Sequence, residues 1–236
     1  MTIRWPLLAR RFHKWLALFV GIQAVIWTLS GLYMTAIHID IIHGDHLVRS
    51  AEPRRVNLGG LVDPLIAGQS VRGAQSLRLQ WLLDRPVYAV AGEQGTSIVD
   101  ARSGAILPAP AEAEVREIAE LQYNGTEEII TAALINEVPF EIRGRKPPLW
   151  RVQFDGWNKP TFYISAETGE LLTRRHELWR VFDFLFGLHI MDYGERENVN
   201  NLLLRLFSWS GFMMAISGAW LLLYSFPKRK RRKAAA

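Results

Sequence analysis

The residues best placed to do chemistry are histidines beside apolar stretches. His13 and His38 bracket the largely apolar run from Trp15 to Ile37, and His189 sits near the end of a shorter one, Leu178 to Ile190. An ionisable side chain next to hydrocarbon is expensive and therefore a functional candidate, and imidazole is the usual axial ligand of b-type haem. On one continuous helix, His13 and His38 return to within about 20° of the same face and stand roughly 37 Å apart along the axis. They would serve two sites, one at each end. His189 is expected at the level of His38, so those two could ligate one haem from opposite sides, whereas His13 stands alone at the other end. His13 also lies between Arg11 and Lys14, a pattern that equally suits lipid headgroups.

Arg205, three residues into a second apolar run, suits a haem propionate or snorkels to the membrane surface. His38, His43 and His46, with Asp40 and Asp45, are metal-ligand types crowded into nine residues. Their spacing matches no fixed ligand pattern and Gly44 marks a turn, so a solvated loop is the competing reading. The chain has no cysteine, which excludes disulfides, thiolate metal sites and cysteine nucleophiles. No Gly-rich dinucleotide loop follows a strand pattern and no nucleophile elbow appears, so there is no complete catalytic constellation.

The elements that must position these residues start with two spans. Trp15 to Ile37 covers roughly 33 Å at 1.5 Å per residue, and Leu202 to Tyr224 is the other segment long and apolar enough to cross. Charge orients them. Of the formal net charge of +5, the first 14 residues supply +4 and the last ten +6, which leaves −5 between them. Both basic ends are expected in the cytoplasm and the middle outside. Basic residues that flank spans argue against nucleic acid as partner and for the lipid bilayer.

In the middle, Asp63-Pro64 reads as an N-cap with proline opening a short helix through Gln69. Ser76 to Leu82 alternates, and Pro86 to Ala91 and Ser97 to Ala101 continue as strands. After Pro108-Ala-Pro110, Ala111 to Tyr123 and Glu127 to Asn136 read as two helices, followed by strands at Leu149 to Asp155 and Thr161 to Ser165. The two halves end alike, on DARSGAIL (Asp100 to Leu107) and SAETGELL (Ser165 to Leu172). Glycine supplies a positive φ in such a turn while Ser or Thr braces it. The middle thus reads as a duplicated helix-plus-sheet unit. Leu178 to Ile190 groups Leu178, Val181, Phe182, Leu185, Phe186 and His189 on one face, with Arg180, Asp183 and Gly187 opposite. It is too short to cross and should lie along the membrane surface.

The strand, strand, D-x-x-[ST]-G-x-[IL]-L order resembles the PepSY domain. Arg10, His13 and Trp15, then Ser30-Gly31-Leu32, resemble the first helix of PepSY-associated transmembrane proteins, and Ser217-Gly218 and Leu188-His189 echo the same family. The resemblance implies a bacterial inner-membrane protein with a periplasmic PepSY-like domain. The expected fold is α+β, a two-span transmembrane hairpin carrying the duplicated helix-plus-antiparallel-sheet domain. Its parts are a basic N-terminus (1–14), first span (15–38), linker (39–57), repeat units (58–107 and 108–175), interfacial helix and turn (176–201), second span (202–224) and basic tail (225–236). Some members of the family look like ferric or siderophore reductases that pass electrons through haem held by intramembrane histidines; others are associated with regulating envelope enzymes. The chain is therefore expected either to bind b-type haem through His13, His38 and His189, as a homodimer or within a larger complex, or to act as a non-enzymatic accessory subunit.

Overall fold

The computed structural model describes residues 5–50, 54, 55 and 57–225, with backbone alone at 58, 224 and 225. Arg4 and the basic run 228–233, which carry much of the orientation argument, lie outside the described residues. The chain divides into two compact units: a helical one, residues 1–37 with 181–236, and a sheet unit, residues 38–180.

The sheet unit is α+β and internally duplicated. Helix α2 (Ile39–His43) and a 3-10 turn (Asp45–Leu47) open it. The first repeat is α3 (Pro64–Gln69) followed by β1 (Ser76–Leu82), β2 (Arg85–Gly92), β3 (Gly95–Asp100) and β4 (Ile106–Leu107). The second is α4 (Glu112–Gln122) followed by β5 (Ile129–Ile135), β6 (Leu149–Phe154), β7 (Thr161–Ser165) and β8 (Leu171–Arg175). Each set of four strands is an antiparallel meander in sequence order. Alternation sorts the side chains: Val87 and Ala89 of β2 join one core with α4, Phe154, Phe162 and Ile164, while Tyr88 and Val90 face the other way onto α3 and Val99. One core is therefore shared by both repeats.

The repeat turns form as expected. Gly104 and Gly169 take φ of 75° and 69°, and each donates its N–H to the residue four before it, Asp100 O and Ser165 O, at 2.9 Å. Asp100 Oδ1 accepts the Ser103 N–H at 2.7 Å, and Ser165 Oγ accepts the Thr168 N–H at 3.2 Å. Asp63 caps α3 through the Leu65 N–H at 2.8 Å.

Two expectations are corrected. Glu127 to Asn136 is not a helix: Ile129–Ile135 is strand β5, paired with β6. Its Ile-Ile-Thr run favours strand, and the pairing overrides the helix-compatible Ala132-Ala133-Leu134. The stretch after the first span is not all linker. Val48 bridges Tyr123, and Asn124 holds it further through its N–H to Leu47 O (2.9 Å) and its Nδ2 to His46 O (3.1 Å).

In the helical unit, α1 (Trp5–Ala36) packs against α6 (Leu202–Ser225). Both are long and apolar enough to cross a membrane, the windows being Trp5–Ala36 and Leu202–Leu223. Helix α5 (Glu177–Ile190) contributes its last ten residues to this unit. Its buried residues are Asp183, Gly187 and Ile190, while Val181 and Phe184 are exposed. Two residues placed opposite the apolar face, Asp183 and Gly187, are thus packed, and Arg196 neutralises Asp183 with an Nη1 to Oδ2 bond of 2.7 Å.

Candidate functional site

Helix α1 buries one stripe, Ala9, Val20, Gln23 and Ser30, and His13 and Trp27 fall on it by helical spacing. The buried polar side chains described in this unit are Gln23, Ser30, Asp183 and Ser217. Gln23 Nε2 donates to Leu188 O (3.3 Å) and Trp27 Nε1 to His189 O (2.7 Å), which satisfies carbonyls that the end of α5 leaves without intrahelical partners. The two serines each hold a histidine.

Ser30 Oγ lies 2.8 Å from His189 Nδ1, and Ser217 Oγ lies 2.8 Å from His13 Nδ1. Each hydroxyl also has a helix carbonyl within reach, Ile26 O for Ser30 and Met214 O for Ser217, both at 2.8 Å. A hydroxyl has one proton to give, so when it goes to the carbonyl the serine oxygen accepts from the imidazole Nδ1–H. Nε2 of each ring has no hydrogen bond among the described residues. Each serine precedes a glycine, and a Cβ there would be in ordinary van der Waals contact with the ring, at 3.8 Å from His189 Cε1 for Gly31 and 3.4 Å from His13 Cε1 for Gly218. Because Ser30 follows His13 by 17 positions on α1, the two sites are separated by roughly 26 Å along that helix. A hydrogen bond at Nδ1 orients an imidazole, which is what partners of this kind do for ligating histidines.

Of the residues singled out from sequence, His13 and His189 therefore lie in two matching settings. His38 is not on α1, which stops at Ala36, and is extended (φ −61°, ψ 140°). Its Nδ1 accepts the Asp40 N–H at 3.4 Å and so caps α2 in the sheet unit. His43 ends α2, where its carbonyl accepts from Arg174 Nε at 3.2 Å, while the Asp45 carboxylate is paired with Arg174. His46 meets His176 edge to face at 5.9 Å. Among the described residues no three histidines or carboxylates are grouped to hold a metal ion, so the set His38, His43 and His46 does not fit one. Arg205 is exposed and lies one turn after Asn201, whose Nδ2 donates to Ile190 O at 2.8 Å, which places it one turn from the end of α5.

The sequence reading missed the partners. Ser30-Gly31 and Ser217-Gly218 were legible as a repeated pair, but as small residues rather than hydrogen-bonding ones. It also passed over His176, which is fully buried; its Nδ1 accepts the Trp179 N–H (3.4 Å), and its Nε2 is sealed without a hydrogen bond. Burial, reinforced by His46, pushes its pKa down to about 4, so the ring is neutral. Nearby, burial works to raise the Glu141 pKa, yet hydrogen bonds from Arg180 and Tyr163 hold it below the usual carboxylate range. Arg180 Nε reaches Glu141 Oε2 at 2.6 Å. Both groups anchor structure and offer nothing open to a ligand.

No curated protein and no solved structure matches the chain. Residues 111–175 match the family model described as PepSY, peptidase propeptide and YPEB domain. That stretch is α4 with strands β5 to β8, so the chain carries a PepSY domain as its second repeat, in a protein with two helices fit to anchor it in a membrane.

Proposed function

We propose that the helical unit binds b-type haem through Nε2 of His13 and of His189, and that the protein carries electrons across the bacterial inner membrane towards an exported acceptor such as a ferric chelate. The observation that supports this reading is the serine–imidazole hydrogen bond at Nδ1, repeated at two heights, with no hydrogen bond at either Nε2 among the described residues. Bound haem supplies a one-electron carrier. The chain's own part is to orient each imidazole through Ser30 or Ser217 and to offer Arg205 to a propionate near the end of α5. Each height offers one imidazole in the helical unit, so any further ligand would come from a second copy of the chain or from another subunit. The basic ends favour cytoplasmic termini and a periplasmic PepSY domain.

The test is the reduced-minus-oxidised spectrum of the detergent-purified protein, with a pyridine haemochrome assay for haem per chain. A b-type signal lost in His13→Ala and His189→Ala supports the reading. No haem from cells supplied with iron and haem precursor overturns it, and favours the second reading: a non-enzymatic accessory subunit of a larger membrane enzyme. What supports that alternative is an unfilled small-residue face on both spans, where neither Gly21 nor Gly211 has a neighbour within 4 Å of a built Cβ.

A further inference from the structure

We infer that the cleft between the two repeats of the sheet unit is a binding site for a small amphipathic anion, an apolar body carrying a carboxylate, independently of any haem. The cleft measures about 720 Å³, within the size range of small-molecule sites. Its walls come from both repeats: Trp81, Leu82 and Leu83 at the end of β1, and Ile118, Leu121 and Gln122 of α4. Duplication creates this space, because it opens where one repeat is laid against the other.

Sign decides the ligand. The sheet unit as a whole carries a net charge of −3, yet among the described residues the cleft is lined by Arg49 and Arg54 and by no acid. Arg54 is held in place: its guanidinium lies 5.3 Å over the Trp81 ring, and Nη1 donates to Leu83 O at 2.7 Å. Its contact with Asp84, 3.3 Å away on a carboxylate that is 94% exposed, is too solvated to neutralise it. The Arg49 side chain has no partner among the described residues. Leu83, which presents that carbonyl, sits at φ 54° in the two-residue hairpin turn between β1 and β2. The floor of leucine and isoleucine takes the apolar body, and the two guanidinium groups at the rim take the carboxylate.

The probe is 2-naphthoate, measured by equilibrium dialysis against the full chain in lipid nanodiscs, with empty discs and the uncharged 2-naphthamide as controls. Saturable uptake near one naphthoate per chain is expected, with none of the amide above empty discs. Arg49→Ala and Arg54→Gln should each weaken it by at least about tenfold, and Arg72→Ala, on another surface, should not change it. Arg49 anchors nothing in the fold, so its variant reads the site even if Arg54→Gln loses structure. Uptake equal to that of empty discs, equal for the amide, or indifferent to both arginine changes overturns the inference.

Discussion

The helical unit and the sheet unit treat a histidine in opposite ways. In the helical unit, His13 and His189 each hydrogen-bond a serine hydroxyl at Nδ1, and Nε2 has no hydrogen bond among the described residues. In the sheet unit, His176 accepts a backbone N–H at Nδ1 and has its other nitrogen sealed in the interior. The first arrangement leaves one ring nitrogen without a protein partner, and the second closes the ring off. What separates these histidines is which nitrogen the protein has already used.

The comparison breaks most sharply if the open histidines are not ligands. His13→Ala and His189→Ala are each expected to remove their haem signal entirely, whereas a His176 substitution that keeps the fold should leave haem per chain unchanged. Loss of haem in the latter, with normal stability, would erase the distinction. Next in size, Ser30→Ala and Ser217→Ala leave Nε2 in place but release Nδ1, and should weaken haem binding about 10- to 100-fold, read by haem transfer to apomyoglobin.

His176 gives the comparison a pH axis. Its pKa falls from 6.5 unfolded to about 4 folded, so between those values the unfolded chain binds a proton that the folded one refuses. Stability should be full above about pH 6.5 and decline as pH falls towards 4, by roughly 3 kcal/mol at most. Of the groups that face the ring, His46 and Arg180 oppose its charging, while the backbone of Ile41 and Ile42 favours it and is outweighed by burial. The urea midpoint followed by near-ultraviolet circular dichroism should show this slope, and His176→Leu should flatten it.

The smallest effect separates the two repeat turns. A Cβ on Gly169 would lie 2.8 Å from Leu82 Cδ1 and 3.0 Å from Ile118 Cδ1, while one on Gly104 meets only Val62, at 3.6 Å. Both glycines have positive φ, so both alanine variants carry a strain of about 1 kcal/mol. Gly169→Ala should cost about 1 to 2 kcal/mol more, seen as a lower thermal midpoint than Gly104→Ala. Equal midpoints would mean that the shared core yields at Leu82.

Local signals were legible and long-range ones were not. Asp63 before Pro64 announces α3, alternation from Ser76 announces β1, and the paired Ser/Thr-Gly turns announce the duplication, because each acts within a few residues. The misreadings come from partners far along the chain. Ala132, Ala133 and Leu134 suit a helix until β6 pairs with them. Asp183 suits water until Arg196, thirteen residues on, neutralises it. Of the candidate site, the histidines could be named but not their serines, because nothing at Ser30 says that its hydroxyl will meet α5.

Those serine bonds also set an order of events in biosynthesis. His189 and Ser30 are 159 positions apart, and His13 and Ser217 are 204 apart. When α1 has been made, His13 lacks its hydroxyl and Ser30 its imidazole, and neither can gain its partner until the intervening chain has been made and α5 and α6 have followed. Closing a loop of that length from an unfolded chain is slow and entropically unfavourable. The sheet unit, once folded, gathers most of that chain into one compact body. Both serine–histidine bonds are thus late arrivals, and folding of the sheet unit shortens the loop that each must close.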